Sequence, residues 1–93
     1  MTKEKQRFVD QYNWSVKHYG YRTLNDLYKN PSDYKLFAYK RIQQECEDLK
    51  GTGLTCTGGS CFAFSAAFKY TKDNKKYLRY YTSARTIDIE LED

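Results

Sequence analysis

The chain has 93 residues and a mass of 11.1 kDa, enough for one domain and too little for two. Its 17% aromatic content, with ten Tyr and five Phe, is not that of a disordered chain. A mean hydropathy of −0.91 with no long apolar run excludes a transmembrane helix, and a net charge of +4 excludes a strongly acidic mimic of nucleic acid.

Residues 3–19 are predicted to be helical. Phe8, Tyr12, Val16 and Tyr19 fall on one stripe, Val9 widens it, and Gly20 is a natural stop. Thr23-Leu24-Asn25-Asp26 reads as a short capped turn, with Leu24, Leu27 and Tyr28 facing inward. Asn30-Pro31 opens a second helix, because Asn suits the cap and Pro has no N–H to leave unpaired in the first turn. That helix is expected to run from residue 31 to about Lys50 on the stripe Ala38, Ile42, Cys46 and Leu49, with Tyr39 beside it. Gly51-Thr52-Gly53 ends it.

After Gly53 the period changes to two. Phe62, Phe64, Ala66, Phe68 and Tyr70 alternate with Cys61, Ala63, Ser65, Ala67 and Lys69, giving one aromatic and one small-residue face. Asp73-Asn74-Lys75 is expected to form a three-residue hairpin loop. Lys72 would then face Lys76, Tyr70 would face Leu78, and Phe68 would face Tyr80. Ile87, Ile89 and Leu91 alternate with acids in a last half-buried strand, after a turn near Ser83-Ala84 or a bulge. The expected fold is a single α+β domain over residues 1–93, with N-terminal helices packed on a C-terminal antiparallel meander of three to four strands. Both helices are expected on the aromatic face. Arg79 and Tyr81 are expected on the opposite face, which is left wet.

The charge is uneven along the chain. Residues 87–93 hold four acids and no base, which leaves +8 on residues 1–86. The opening Met1-Thr2-Lys3-Glu4-Lys5 is charged and leads into no apolar stretch, so no secretory leader and a reducing cytosol are expected. Three cysteines, an odd number, then suggest free thiols or thiolate ligands rather than disulfides.

Cys56-Thr57-Gly58-Gly59-Ser60-Cys61 reads as a Gly-Gly hairpin with Cys56 opposite Cys61, so that both sulfurs lie on one side. Cys46 lies one short loop away, and His18 is the single histidine. A structural zinc held by Cys46, Cys56, Cys61 and His18 is the expectation, with four protein ligands leaving no open position for catalysis. The same residues also read without metal: Cys46 as core, His18 as a surface histidine, and Cys56 and Cys61 as a cross-strand disulfide or idle thiols.

Catalytic constellations are thin, and the chain is not expected to be an enzyme. Aromatic and basic residues interleave from Lys69 to Tyr81. Lys72, Lys75, Lys76, Tyr77, Arg79 and Tyr81 are the expected contact patch. Tyr and Arg are enriched at protein–protein hot spots, and the same residues suit base stacking and phosphate contact.

The run from Tyr19-Gly20-Tyr21-Arg22 through Leu27-Tyr28-Lys29-Asn30-Pro31-Ser32, followed by Phe62-Ala63-Phe64-Ser65-Ala66-Ala67-Phe68, resembles small proteins carried by phages and other mobile elements of Gram-positive bacteria. A compact, Tyr-rich protein of this size in that setting resembles the phage-encoded anti-CRISPR inhibitors. The resemblance implies a stoichiometric inhibitor in the host cytoplasm. It would bind a type II, Cas9-like effector and block nucleic-acid loading or cleavage. These inhibitors share no motif, so no residue role carries over. Many are acidic DNA mimics, and the +4 charge departs from that pattern in favour of docking on a protein lobe. The alternative is a small nucleic-acid-binding regulator of a mobile element. No membrane partner is expected.

Overall fold

The computed structural model describes residues 2–21, 35–56, 65–82 and 84–91, with the backbone alone for Tyr19, residues 35–39 and Cys56. Two helices, α1 (Lys3–Tyr19) and α2 (Lys35–Asp48), precede four strands, β1 (Thr52–Cys56), β2 (Ser65–Lys72), β3 (Lys75–Thr82) and β4 (Thr86–Glu90). The strands form one antiparallel sheet in chain order, β1-β2-β3-β4. This is the expected α+β order of helices before strands. The Thr23–Asp26 turn, the Asn30-Pro31 boundary and the Gly58-Gly59 turn lie outside the described residues.

The first helix has the expected bounds. Thr2 caps it, its Oγ1 accepting from the Lys5 N–H at 3.2 Å. Glu4 in the first turn and Lys17 and His18 in the last complement the helix dipole. Gly20 (φ 70°) closes it, donating from its N–H to the Val16 carbonyl at 2.9 Å. The second helix ends in a Schellman motif. The Gly51 N–H reaches back to the Cys46 carbonyl at 2.7 Å and the Lys50 N–H to that of Glu47 at 3.0 Å. Lys50 takes the left-handed position (φ 54°) that this motif usually gives to glycine.

The β2–β3 register differs from expectation by one residue. Lys72 pairs with Lys75, Tyr70 with Tyr77, and Phe68 with Arg79. The cause is the turn. Asp73 (φ 54°) and Asn74 (φ 63°) both adopt the left-handed region, which makes a two-residue type I′ turn instead of a three-residue loop. A one-residue slip flips every side chain to the other face. Arg79 and Tyr81 therefore share a face with Phe68, and Leu78 and Tyr80 join Ala67. The β3–β4 connection needs no bulge. It is the turn expected near Ser83-Ala84, where Thr82 Oγ1 accepts from the N–H groups of Ala84 (3.2 Å) and Arg85 (3.0 Å).

The sheet consequently carries a core on each side, and the two helices lie on opposite faces instead of both on the aromatic one. On one face Ile42 and Cys46 of α2 pack with Ala66, Phe68, Tyr70 and Tyr81. On the other, Tyr12 of α1 packs with Ala67, Leu78, Tyr80 and Ile89, flanked by Phe8, Val9 and Val16. Ala66 and Ala67 are fully buried, one under each helix, and their small side chains let the helices approach. Each large buried side chain contributes roughly 1.5–3 kcal/mol. Two hydrogen bonds latch the end of α1 to the edge strand, from Tyr12 Oη to the Gly53 carbonyl (2.7 Å) and from Thr55 Oγ1 to the Gly20 carbonyl (2.9 Å).

Candidate functional site

The hairpin face expected to bind a partner is largely consumed by the fold. Tyr81 is buried (6% exposed) and its hydroxyl donates to Glu45 Oε2 of α2 at 2.6 Å. Burial, then the bond to Glu45, pushes its phenol above the usual range. This corrects its place in the exposed patch, and the shifted register is the reason. Arg79 makes a forked contact with Asp88, Nε to Oδ1 at 2.8 Å and Nη2 to Oδ2 at 3.2 Å. Its guanidinium also lies 5.3 Å from the centre of the Tyr70 ring. Tyr70 donates to Asp88 Oδ1 at 3.0 Å and stacks on Tyr77 at 5.3 Å. Partial burial works against the Asp88 charge, but the bonds from Arg79 and Tyr70 outweigh it and hold its carboxyl below the usual range.

The three lysines of that patch are exposed but divided between faces. Lys72 and Lys75 pair with each other across the hairpin, and Lys75 lies 3.9 Å from Glu90. Lys76 is opposite Thr71 on the side that holds Leu78 and Tyr80. One surface does not present all six residues.

Nor are the zinc ligands brought together among the described residues. Cys46 is a buried thiol beside Ile42 and Phe68, and burial pushes its pKa up. His18 is exposed on α1, on the other side of the sheet. Its Nδ1–H donates to the Trp14 carbonyl at 2.9 Å, since a carbonyl only accepts. Cys56 pairs with Ala66, five residues beyond the Cys61 expected opposite it. Cys61 lies outside the described residues, as does the Cys56 side chain.

The outer flank of α1 is the surface that the sequence reading missed. Arg7, Gln11, Trp14 and His18 recur at spacings of four, three and four, one continuous helical stripe beside the buried one. Trp14 is 46% exposed, and the His18 ring stacks on its indole at 4.1 Å and 19°. Arg7, Asp10, Gln11 and Trp14 surround a depression of about 450 Å³. A neighbouring one of about 580 Å³ shares Arg7 and Gln11 and reaches Phe8 and Tyr80. Near the far end of the helix Tyr21 is 66% exposed. The available signal was a tryptophan placed off the Phe8–Tyr12–Val16 stripe.

No known family model matches the chain, and no curated protein or solved structure matches it either.

Proposed function

We propose that the chain is a stoichiometric protein-binding inhibitor of a bacterial defence nuclease, the role its resemblance to phage anti-CRISPR proteins implies, and that it meets its target through the outer flank of α1. The observation that carries this reading is Trp14. Most large aromatics of the described chain are buried or half-buried, yet this indole is 46% exposed on α1, braced by His18 and bordered by Arg7. Trp and Arg anchors of this kind dominate binding energy at protein interfaces. The forked Arg79–Asp88 pair and the Tyr81–Glu45 bond tie up the hairpin groups otherwise suited to contact a partner.

The test is cleavage by a purified, guide-loaded type II CRISPR effector, with gel filtration of the mixture. Equimolar protein is expected to co-elute with the effector and suppress cleavage. Trp14→Ala with Arg7→Glu is expected to lose both effects while keeping the melting temperature. Full cleavage in the presence of excess protein, or an inhibitor unaffected by the double substitution, overturns the reading. A shift of free DNA that fades steeply with salt would point instead to direct nucleic-acid binding.

A further inference from the structure

At the hairpin-turn end of the sheet lies a second feature, a cleft of about 640 Å³. Lys50, Lys69 and Lys76 line it together with the hydroxyl residues Thr52 and Thr71. Its apolar lining is Leu49 and Tyr70 from the α2 side of the sheet and Leu91 from the α1 side, and no carboxylate is among its described lining residues.

The fold assembles this set from four places. Lys50 arrives from the end of α2, Thr52 pairs with Lys69 across β1 and β2, and Thr71 pairs with Lys76 across β2 and β3. The Leu91 N–H bonds the Lys76 carbonyl at 2.8 Å, which brings Leu91 beside the lysine. Lys69 is positioned by the Tyr12 ring, whose centre lies 5.3 Å from its ammonium.

Lys50 is the telling residue. It occupies the left-handed position of a Schellman motif, where glycine avoids the steric cost that any side chain meets. The first helix ends differently, with Gly20 at φ 70° and ψ −173°, outside the left-handed helical region, and its bases, Lys17 and His18, inside the last turn. The second helix has no base in its last turn and places a lysine in the strained position itself. A favourable interaction with the helix end needs only a base in an unstrained last-turn position. The position chosen puts Lys50 at the cleft.

We infer that this cleft binds a nucleoside di- or triphosphate, its phosphates held by Lys50, Lys69, Lys76 and the two threonines and its base against the apolar lining. Ammonium groups and hydroxyls are the donors that phosphate oxygens take. The volume lies within the range of small-molecule sites, roughly 300–1,000 Å³. The site is separate from the α1 flank, and the inference does not rest on the protein-binding reading.

The test is an amide NMR titration of the full ¹⁵N-labelled chain with ATP and with inorganic pyrophosphate, at low salt. Both are expected to shift Lys50, Thr52, Lys69, Thr71 and Lys76 saturably, with ATP the tighter because of the apolar lining. Lys69→Gln and Lys50→Gly are each expected to weaken ATP at least tenfold. The Lys50→Gly melting temperature is expected to hold or rise, because strain is relieved as the ligand contact is lost. Unsaturable shifts spread equally over Lys3, Lys5 and Lys17 of α1, or variants that bind like the parent, overturn the site. ATP no tighter than pyrophosphate, or weaker than a short single-stranded oligonucleotide, overturns the nucleotide assignment.

Discussion

Tyr12 and Gly53 constrain each other twice. The phenol donates to the Gly53 carbonyl at 2.7 Å, and a Cβ built on Gly53 would run into the same phenol oxygen. Gly53 also sits at φ 70° beside the irregular pairing between Thr52 and Thr55, a conformation that side chains resist. Tyr12→Phe is expected to cost about 1–2 kcal/mol, because it leaves the carbonyl without its partner. Gly53→Ala is expected to cost roughly 2–3 kcal/mol from backbone strain and overpacking together. The double variant should cost less than the sum, since Phe lacks the oxygen that the new methyl meets. Urea unfolding of the four proteins measures this, and strict additivity would contradict the geometry.

Alkaline pH should unfold the protein through its buried tyrosines. Burial raises the Tyr12 phenol first, with Tyr21 and Cys46 adding to the effect. The Tyr81 phenol is raised by burial and then by Glu45. Both therefore bind their protons more tightly folded than unfolded. Their contribution is complete below the ordinary tyrosine value of about 10 and is lost as pH rises above it. Phenolate absorbance is expected to rise in two phases, exposed tyrosines first and these two together with loss of near-ultraviolet dichroism. Tyr81→Phe should remove its share of that pH dependence.

On the acid side the dependence runs through Asp88. Its carboxyl is held below the usual range, so its contribution is present above about pH 4 and fades as pH falls through the lowered folded value. The pair with Arg79 is partly exposed, with side chains 40% and 23% accessible, which limits its worth at neutral pH to under about 1 kcal/mol. In Arg79→Gln the Asp88 carboxyl should titrate at higher pH when followed by carbon NMR. An unmoved titration would mean that the forked contact does not persist in solution.

The hairpin turn gives a prediction of opposite sign. Asp73 and Asn74 both hold positive φ, and glycine takes the second position of a type I′ turn with less strain than asparagine. Asn74→Gly is expected to stabilise the fold by about 0.5 kcal/mol. Asp73→Pro should break the hairpin, because proline fixes φ near −65°. Thermal melts of the two variants check both directions. A neutral proline variant would support the three-residue loop and its other register.

The same turn explains which parts of the fold were legible in the sequence. Residues 3–19 were readable to the last residue because an apolar stripe and a terminal glycine agree on the boundary. The β2–β3 register was not, because Asp-Asn carries no glycine to announce a two-residue turn. Apolar matching could not decide it either. Tyr70 pairs as well with Tyr77 as with Leu78, and a sheet buried on both sides offers no polar face to mark the outside. From that one residue followed the misplacement of Tyr81 and of the contact patch. Trp14 is illegible for a different reason: helical periodicity marks the stripe that packs, not the aromatic outside it.

The sheet between two helices also sets the order in which this protein becomes itself during synthesis. The ribosome releases both helices before any of the strands that they cover, and neither stripe has a surface to rest on at that stage. A short helix in water is marginal without such packing. Ile42 therefore stays unsheltered until Phe68 and Tyr81 have emerged, and Tyr12 until Leu78 and finally Ile89 have. The α2 cover, which rests on β2 and β3, can close first, and the α1 cover is complete only when the last strand leaves the exit tunnel.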